Sequence, residues 1–381
     1  MKLERSRRVL ALGASLVVLP LMLPGLAAAG AATAPIDLGT LPGDQYSQVN
    51  AVNDDGVMVG SSTPLEGQIK YHAAKWDAQG RISALPSLGG EQSKAMDVNS
   101  TGVAVGWADE DFSNRAAVEW SPDGTVTALP YLPGGDYATA NAITDGGVIV
   151  GAGRAADGKI HAVRWNPDGQ VVDLGGLPGG SYANADWITP DGRTIAGTAS
   201  DSAGRNHVVR WNLAGAITDL SPGNPYSTPE DMNDFGVIVG SAELNGNPKP
   251  VRWELDGRMT WLEYPESGPA WANAVNDAGA AAGGGYLVFG TESPVKWDRA
   301  GTRTTLSTQR GLGYDIDPAG TVVGLENNIA TKWDSAGTRT VLGTLPGGTY
   351  SVADHITANG MIVGLSDNEN GRTHAVYWPA G

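Results

Sequence analysis

His161-Ala162-Val163-Arg164-Trp165-Asn166-Pro167-Asp168-Gly169 is the stretch on which the chain is built. Small or apolar residues lead to a base, a tryptophan, a short polar turn and a glycine. The pattern recurs at Trp76, Trp120, Trp165, Trp211, Trp253, Trp297, Trp333 and Trp378, in steps of 44, 45, 46, 42, 44, 36 and 45 residues. Such a period marks a repeat architecture in which each unit shares its core with its neighbours. It overrides the two or three domains that 381 residues would otherwise suggest. Beyond the first residues no long window has a helical apolar period. Short β-branched runs alternate with Gly, Asn, Asp and Pro, and Gly 54 with Pro 23 makes turns frequent, so the chain reads as all-β.

The third unit shows the plan. Tyr137 to Ile143, Val148 to Gly151, Ile160 to Trp165 and Val171 to Leu174 are four short strands, A to D. The A–B turn starts at Asn53, Asn99, Thr144, Thr189, Asn233, Asn276, Asp317 or Thr357, with a glycine three residues later in every unit. The side chain holds following N–H groups and glycine takes the left-handed conformation, which is hairpin chemistry. Four strands per unit is the arithmetic of a β-propeller blade. The chain stops after a strand C at Trp378, and Pro35-Ile36-Asp37-Leu38-Gly39 is a strand D with no A, B or C before it. Their pairing completes an eighth blade and removes an open edge. The expected fold is an eight-bladed β-propeller over residues 35–381, with an open β-solenoid as the rival. The sixth unit has Ala280-Ala281-Ala282-Gly283-Gly284-Gly285 as strand B, and the seventh is short. If one side of the ring is open to a partner, these units are the place to look.

Residues 1–34 have a basic start (Lys2, Arg5, Arg7, Arg8), an apolar run from Val9 to Leu26 and a small-residue exit. This is the pattern of a secretory signal peptide, cleaved after Ala29 or Ala34. Ser6-Arg7-Arg8-Val9-Leu10 leaves the general and twin-arginine routes both open, and an uncleaved anchor is a further alternative. No second apolar run follows, so no integral membrane segment is expected in the mature chain, which reads as a secreted monomer. Net charge is −16, against the basic footprint of nucleic-acid binders. The absence of Cys excludes disulfides and thiolate metal sites.

The strand C motifs, His72-Ala73-Ala74-Lys75-Trp76, His161-Ala162-Val163-Arg164-Trp165, His207-Val208-Val209-Arg210-Trp211 and His374-Ala375-Val376-Tyr377-Trp378, resemble the HAF-repeat family of extracellular bacterial repeat proteins. The flanking Asp-Leu-Gly-x-Leu-Pro-Gly-Gly and Asn-x-x-Gly-x-x-Val-Gly patterns carry the likeness across nearly all of residues 36–381. Phe is replaced by Val or Ala, and units two, five, six and seven lack the His. The resemblance implies an extracellular protein and no defined activity.

Four histidines precede Trp by four residues, on the same strand face. Whole blades separate them, so packing rather than a shared metal is expected. The bases before Trp (Lys75, Arg164, Arg210, Arg252, Lys296, Lys332) read as stems packed across blade faces with tips at carboxylates. The candidate binding residues are the aromatics that open strands A, Tyr46, Tyr137, Tyr182, Tyr226, Trp271 and Tyr350, and the polar residues after them, Asn50, Asn141, Asp186, Glu230, Asn273 and Asp354. They form a ring at the channel mouth suited to a glycan or a protein ligand, or wedges between blades. No metal site and no cofactor is expected. No unique acid, base or nucleophile cluster breaks the repeat, so the expectation is a non-catalytic binding or scaffold module. The alternative is an extracellular hydrolase or lyase acting on polysaccharide.

Overall fold

Trp165 ends a strand of the kind its sequence demands. In the computed structural model, which describes residues 7–8, 34–64, 70–111, 114–224, 226–264, 268–288 and 291–379, Ala138–Ile143, Ile149–Arg154, Ile160–Trp165 and Val171–Gly175 form one antiparallel sheet in the order A-B-C-D. The same order recurs in every unit, giving eight four-stranded blades in a ring. This is the eight-bladed β-propeller, and the open solenoid is excluded. Ile36–Asp37 pairs with Thr373–Trp378, Ile36 opposite Tyr377 and Asp37 opposite Val376, as strand D of blade 8. Leu38 N–H adds a bond to the Ala375 carbonyl at 3.0 Å. At the other end of the blades Asn359 Nδ2 donates to the Asp54 carbonyl at 3.0 Å and fastens blade 8 to blade 1. Most of the expected signal peptide lies outside the described residues; Arg7–Arg8 runs along the free edge of strand A of blade 1. Among the described residues no helix is long and apolar enough to cross a membrane.

All eight A–B turns close as the sequence requires. In blade 3 Gly147 N–H donates to the Thr144 carbonyl at 3.0 Å, and Gly147 has φ +77°.

Strand C fastens each blade in both directions. Its tryptophan is fully buried in every unit. In six units the indole N–H donates backward to a carbonyl at the end of the preceding blade's strand D, as from Trp165 to Pro130 at 2.8 Å and from Trp76 to Leu38 at 2.9 Å. The base before it reaches forward. Arg164 donates to the Leu213 carbonyl at 2.8 Å, Arg210 to that of Leu255 at 2.7 Å, and Lys296 to that of Ser335 at 2.9 Å. The stems cross blade faces as expected, but the tips mostly meet turn carbonyls of the next blade rather than carboxylates. Peptide carbonyls at the turn ends have no strand partner and accept a cation's hydrogen bond.

Strands A occur at Tyr46–Val52, Ser93–Val98, Ala138–Ile143, Ala183–Ile188, Thr228–Met232, Ala270–Val275, Gly311–Ile316 and Ser351–Ile356. Strands A of successive blades pack side by side at six of the eight junctions, so they are the innermost strands and surround the axis. Each carries a β-bulge, at Asn50, Met96, Asn141, Asp186, Glu230, Asn273, Tyr314 and Asp354. Opposite every bulge strand B has a glycine: Gly60, Gly106, Gly151, Gly197, Gly240, Gly283, Gly324 and Gly364. A Cβ on any of them would run into a carbonyl of strand A. The Val-Gly signature of strand B is therefore the imprint of the bulge.

Units six and seven, the place to look for an opening to a partner, pack closely on each other. The glycines of blade 6 let blade 7 close in, and a Cβ on Gly284 would collide with Leu312. The inner strands stand apart instead at the junctions of blades 4 and 5 and of blades 8 and 1.

Deleting residues 35–38 removes strand D of blade 8 and the acceptor of the Trp76 indole. The melting temperature of the shortened chain should fall by several degrees; an unchanged midpoint would contradict closure by this strand. Trp165→Ala should cost about 3–5 kcal/mol in urea unfolding.

Candidate functional site

Each bulge places one side chain of the innermost strand out of register, and these eight residues form the inner ring. Two devices bind adjacent blades there. In blades 1, 3 and 6 the bulge residue is Asn: Asn50 donates to the Ala95 carbonyl at 2.7 Å, Asn141 to Ala185 at 3.0 Å and Asn273 to Gly313 at 2.8 Å. In blades 2, 5 and 7 the residue after the bulge is Asp: Asp97 accepts from Ile143 N–H at 2.9 Å, Asp231 from Val275 N–H at 2.9 Å and Asp315 from Ile356 N–H at 2.8 Å. Blades 4 and 8 have neither. They carry Asp186-Trp187 and Asp354-His355 at those positions, and these are the blades whose inner strands stand apart from the next.

Three acids occupy bulge positions, where a carboxylate cannot make the donation that Asn makes. Glu230 and Asp354 have no hydrogen-bond partner among the described residues, and Asp354 is only 8% exposed. Burial first, then the charges of Asp186 and Asp231, push the Glu230 carboxyl up to about 7. Burial alone pushes Asp354 to about 7. Two carboxyls whose ordinary values lie near 4 are thus poised at neutral pH, as acid–base groups require.

Within the expected ring, the Asp186 charge acts on Glu230 across the blade 4–5 junction. Asp354 is the bulge residue of blade 8, and its charge acts on Tyr314 of blade 7 and on Tyr350. Asn50, Asn141 and Asn273 hold neighbouring blades with their amides, so their contribution is structural. Tyr182 stands near Asp186 and Tyr137; burial, then those two groups, raise its phenol to about 12. Tyr350 is part exposed and precedes the strand of Asp354. The Arg154 guanidinium lies 6.0 Å from the Tyr137 ring centroid, and Trp271 meets Tyr286 at 6.4 Å. Tyr46 opens strand A of blade 1 half-buried. Tyr226 sits in the loop before its strand with φ +66° and is 63% exposed, apart from the others in conformation. Sequence reasoning missed Tyr314, because an aromatic replaces the polar residue at the bulge. It also missed the Asp97, Asp231 and Asp315 braces, whose signal is an acid just before the last apolar residue of strand A.

Three of the motif histidines face aspartates on outer strands. His161 Nδ1 lies 2.9 Å from Asp173, His207 Nδ1 3.0 Å from Asp219 and His374 Nδ1 3.0 Å from Asp37. Each pair joins strands C and D of one blade, with Asp37 supplied by the closing strand. His72 pairs with Asp44 at 2.9 Å. A cavity of about 290 Å³ lined by Phe235, Arg252 and Arg299 opens among the A–B and C–D turns of blades 5 and 6 and contains none of the ring residues.

No family model matches the chain, and no curated protein sequence does. Solved structures match its shape. Puromycin hydrolase is 14% identical over 88% of this chain and 61% of its own, with TM-score 0.52. A puromycin-hydrolyzing peptidase of Mycobacterium tuberculosis is 14% identical over 91% of this chain and 60% of its own, with TM-score 0.50. Streptogramin B lyase is 12% identical over 90% and 96%, with TM-score 0.45. The chain spans about three fifths of the length of the two hydrolases, and at these identities the likeness establishes the fold. Enzymes thus use a ring of this shape, and this corrects the expectation of a chain that is not an enzyme. That expectation rested on finding no cluster that breaks the repeat; Asp186, Glu230 and Asp354 do break it, within the innermost strands.

The raised carboxyls have a consequence for stability. An acid whose folded value exceeds its unfolded one adds stability below the unfolded value, near 4, and that stability is lost as pH rises to about 7. Melting temperatures should therefore drop between about pH 4 and pH 7. Glu230→Gln and Asp354→Asn should each recover on the order of 2 kcal/mol at about pH 8. Variants no more stable than the parent there would contradict the raised values.

Proposed function

We propose that the innermost strands of blades 4 and 5 form the acid–base centre of an extracellular enzyme that cleaves polysaccharide. The observation that carries this is Glu230: a carboxyl in the innermost strand with no hydrogen-bond partner among the described residues, beside Asp186 and raised to about 7. A protonated carboxyl next to a charged one is the division of labour that acid–base cleavage of a sugar chain needs. Glu230 gives its proton to the departing oxygen, Asp186 stabilises the positive charge that develops on the ring, and a water molecule then adds to that carbon and returns a proton to Glu230. Tyr137 and Tyr182, at the entrance of neighbouring strands A, supply flat apolar faces for sugar rings. The shared ring shape of the puromycin hydrolases supports this at the level of fold only. Export through residues 1–34 and kinship with HAF-type repeats belong to the same proposal, since a polymer substrate would be met outside the cell.

The test is release of new reducing ends, or of unsaturated ends, from a panel of cell-wall and plant polysaccharides by residues 35–381. Glu230→Gln should lower kcat about 100-fold or more while the fold is kept. The rate limb set by the acid should fall as pH rises through about 7. Full activity in Glu230→Gln would overturn the assignment.

A further inference from the structure

Asp354 is the second unpartnered acid of the innermost strands, and its surroundings differ from those of Glu230. It is the bulge residue of strand A in blade 8 and is 8% exposed. Tyr314 holds the equivalent bulge in blade 7. Tyr350 is the residue just before strand A of blade 8, its N–H held by Asp367 Oδ1 at 2.8 Å. The two inner strands are fixed to each other by the Ile356 N–H bond to Asp315. Tyr314 and Asp354 thus occupy equivalent positions of adjoining inner strands, and burial, then the Asp354 charge, raise both phenols above their ordinary value. The other charges acting on these phenols are acidic, Glu292 on Tyr314 and Asp367 on Tyr350; His355 follows Asp354 in the strand. Among the described residues no Lys or Arg is bonded to Asp354.

A desolvated carboxyl without a counter-charge is costly, and it is relieved by a cation that enters with the ligand. Two aromatic rings beside one carboxylate are the setting that receives an ammonium group, through charge pairing and the negative ring faces. We propose that Asp354, Tyr314 and Tyr350 form a subsite for a primary ammonium group. Resting on the polysaccharide reading above, this makes the substrate a polymer with unacetylated amino sugars.

The experiment is titration calorimetry of residues 35–381 with two probes, a glucosamine tetrasaccharide and its fully N-acetylated counterpart, at about pH 7, where the amines and the Asp354 carboxyl are both charged in substantial part. The free-amine probe should bind at least about tenfold more tightly, as a charge-assisted contact would give. Asp354→Asn should remove the preference. Tyr350→Ala, on the part-exposed rim, should weaken amine binding several-fold and serves if Asp354→Asn does not fold. Glu230→Gln should leave the preference in place. Equal affinities for the two probes, or a preference that survives both Asp354→Asn and Tyr350→Ala, would overturn the subsite. Cleavage of neutral polymers without ammonium preference would remove the subsite and keep the role of Glu230. Ammonium preference without cleavage of any polymer would do the reverse.

Discussion

One extra residue in each innermost strand organises this ring. The bulge pushes a strand A carbonyl towards strand B, and only glycine leaves room for it, from Gly60 through Gly364. The same extra residue takes one side chain of each inner strand out of the alternation that packs blade on blade. Eight positions around the axis are thus released from the core pattern while their backbone stays fixed. Asn fills three of them and fastens blades; Asp186, Glu230 and Asp354 fill three others and cannot do so by donation. The repeat supplies a rigid frame, and substitutions at one position of that frame set the chemistry.

The junctions divide accordingly. Six are braced at the inner strands by an Asn amide or an Asp carboxylate that reaches the next blade. At the junctions of blades 4 and 5 and of blades 8 and 1 the corresponding positions hold Asp186-Trp187 and Asp354-His355 instead. The outer parts of every junction remain fastened by strand C, through a buried tryptophan that reaches back in six units and a base that reaches forward in five. Much of the fastening is therefore carried far from the axis, while the inner strands hold buried acids. Buried, uncompensated carboxyls oppose folding at neutral pH, a cost commonly met at functional sites.

The architecture was open to sequence reasoning because its signals are local and repeated. Trp after a base, Gly after Asn or Thr, and a lone strand D before the first complete unit each have one physical meaning. Glu230 and Asp354 were visible as polar residues four places after an aromatic. Their difference from Asn50, Asn141 and Asn273 was not, since it depends on which carbonyl of the next blade stands opposite. Tyr314 escaped because its residue type departs from the ring while its position does not. The irregularity of units six and seven is plain in the sequence, but its consequence is not: the glycines of blade 6 allow Leu312 to approach Gly284. The aspartate partners of the motif histidines lie 12 residues downstream in blades 3 and 4, a spacing that only the C–D hairpin makes into a contact.

The account stands on two poised carboxyls in the innermost strands. Carbon-13 NMR titration of the side-chain carboxyls, assigned with Glu230→Gln and Asp354→Asn, reads them directly. Midpoints near 7 for both residues, with the exposed carboxylates titrating near 4, are the predicted result. Midpoints near 4 for Glu230 and Asp354 would show two solvated carboxylates, and would contradict the reading of these positions as an acid–base and ammonium site.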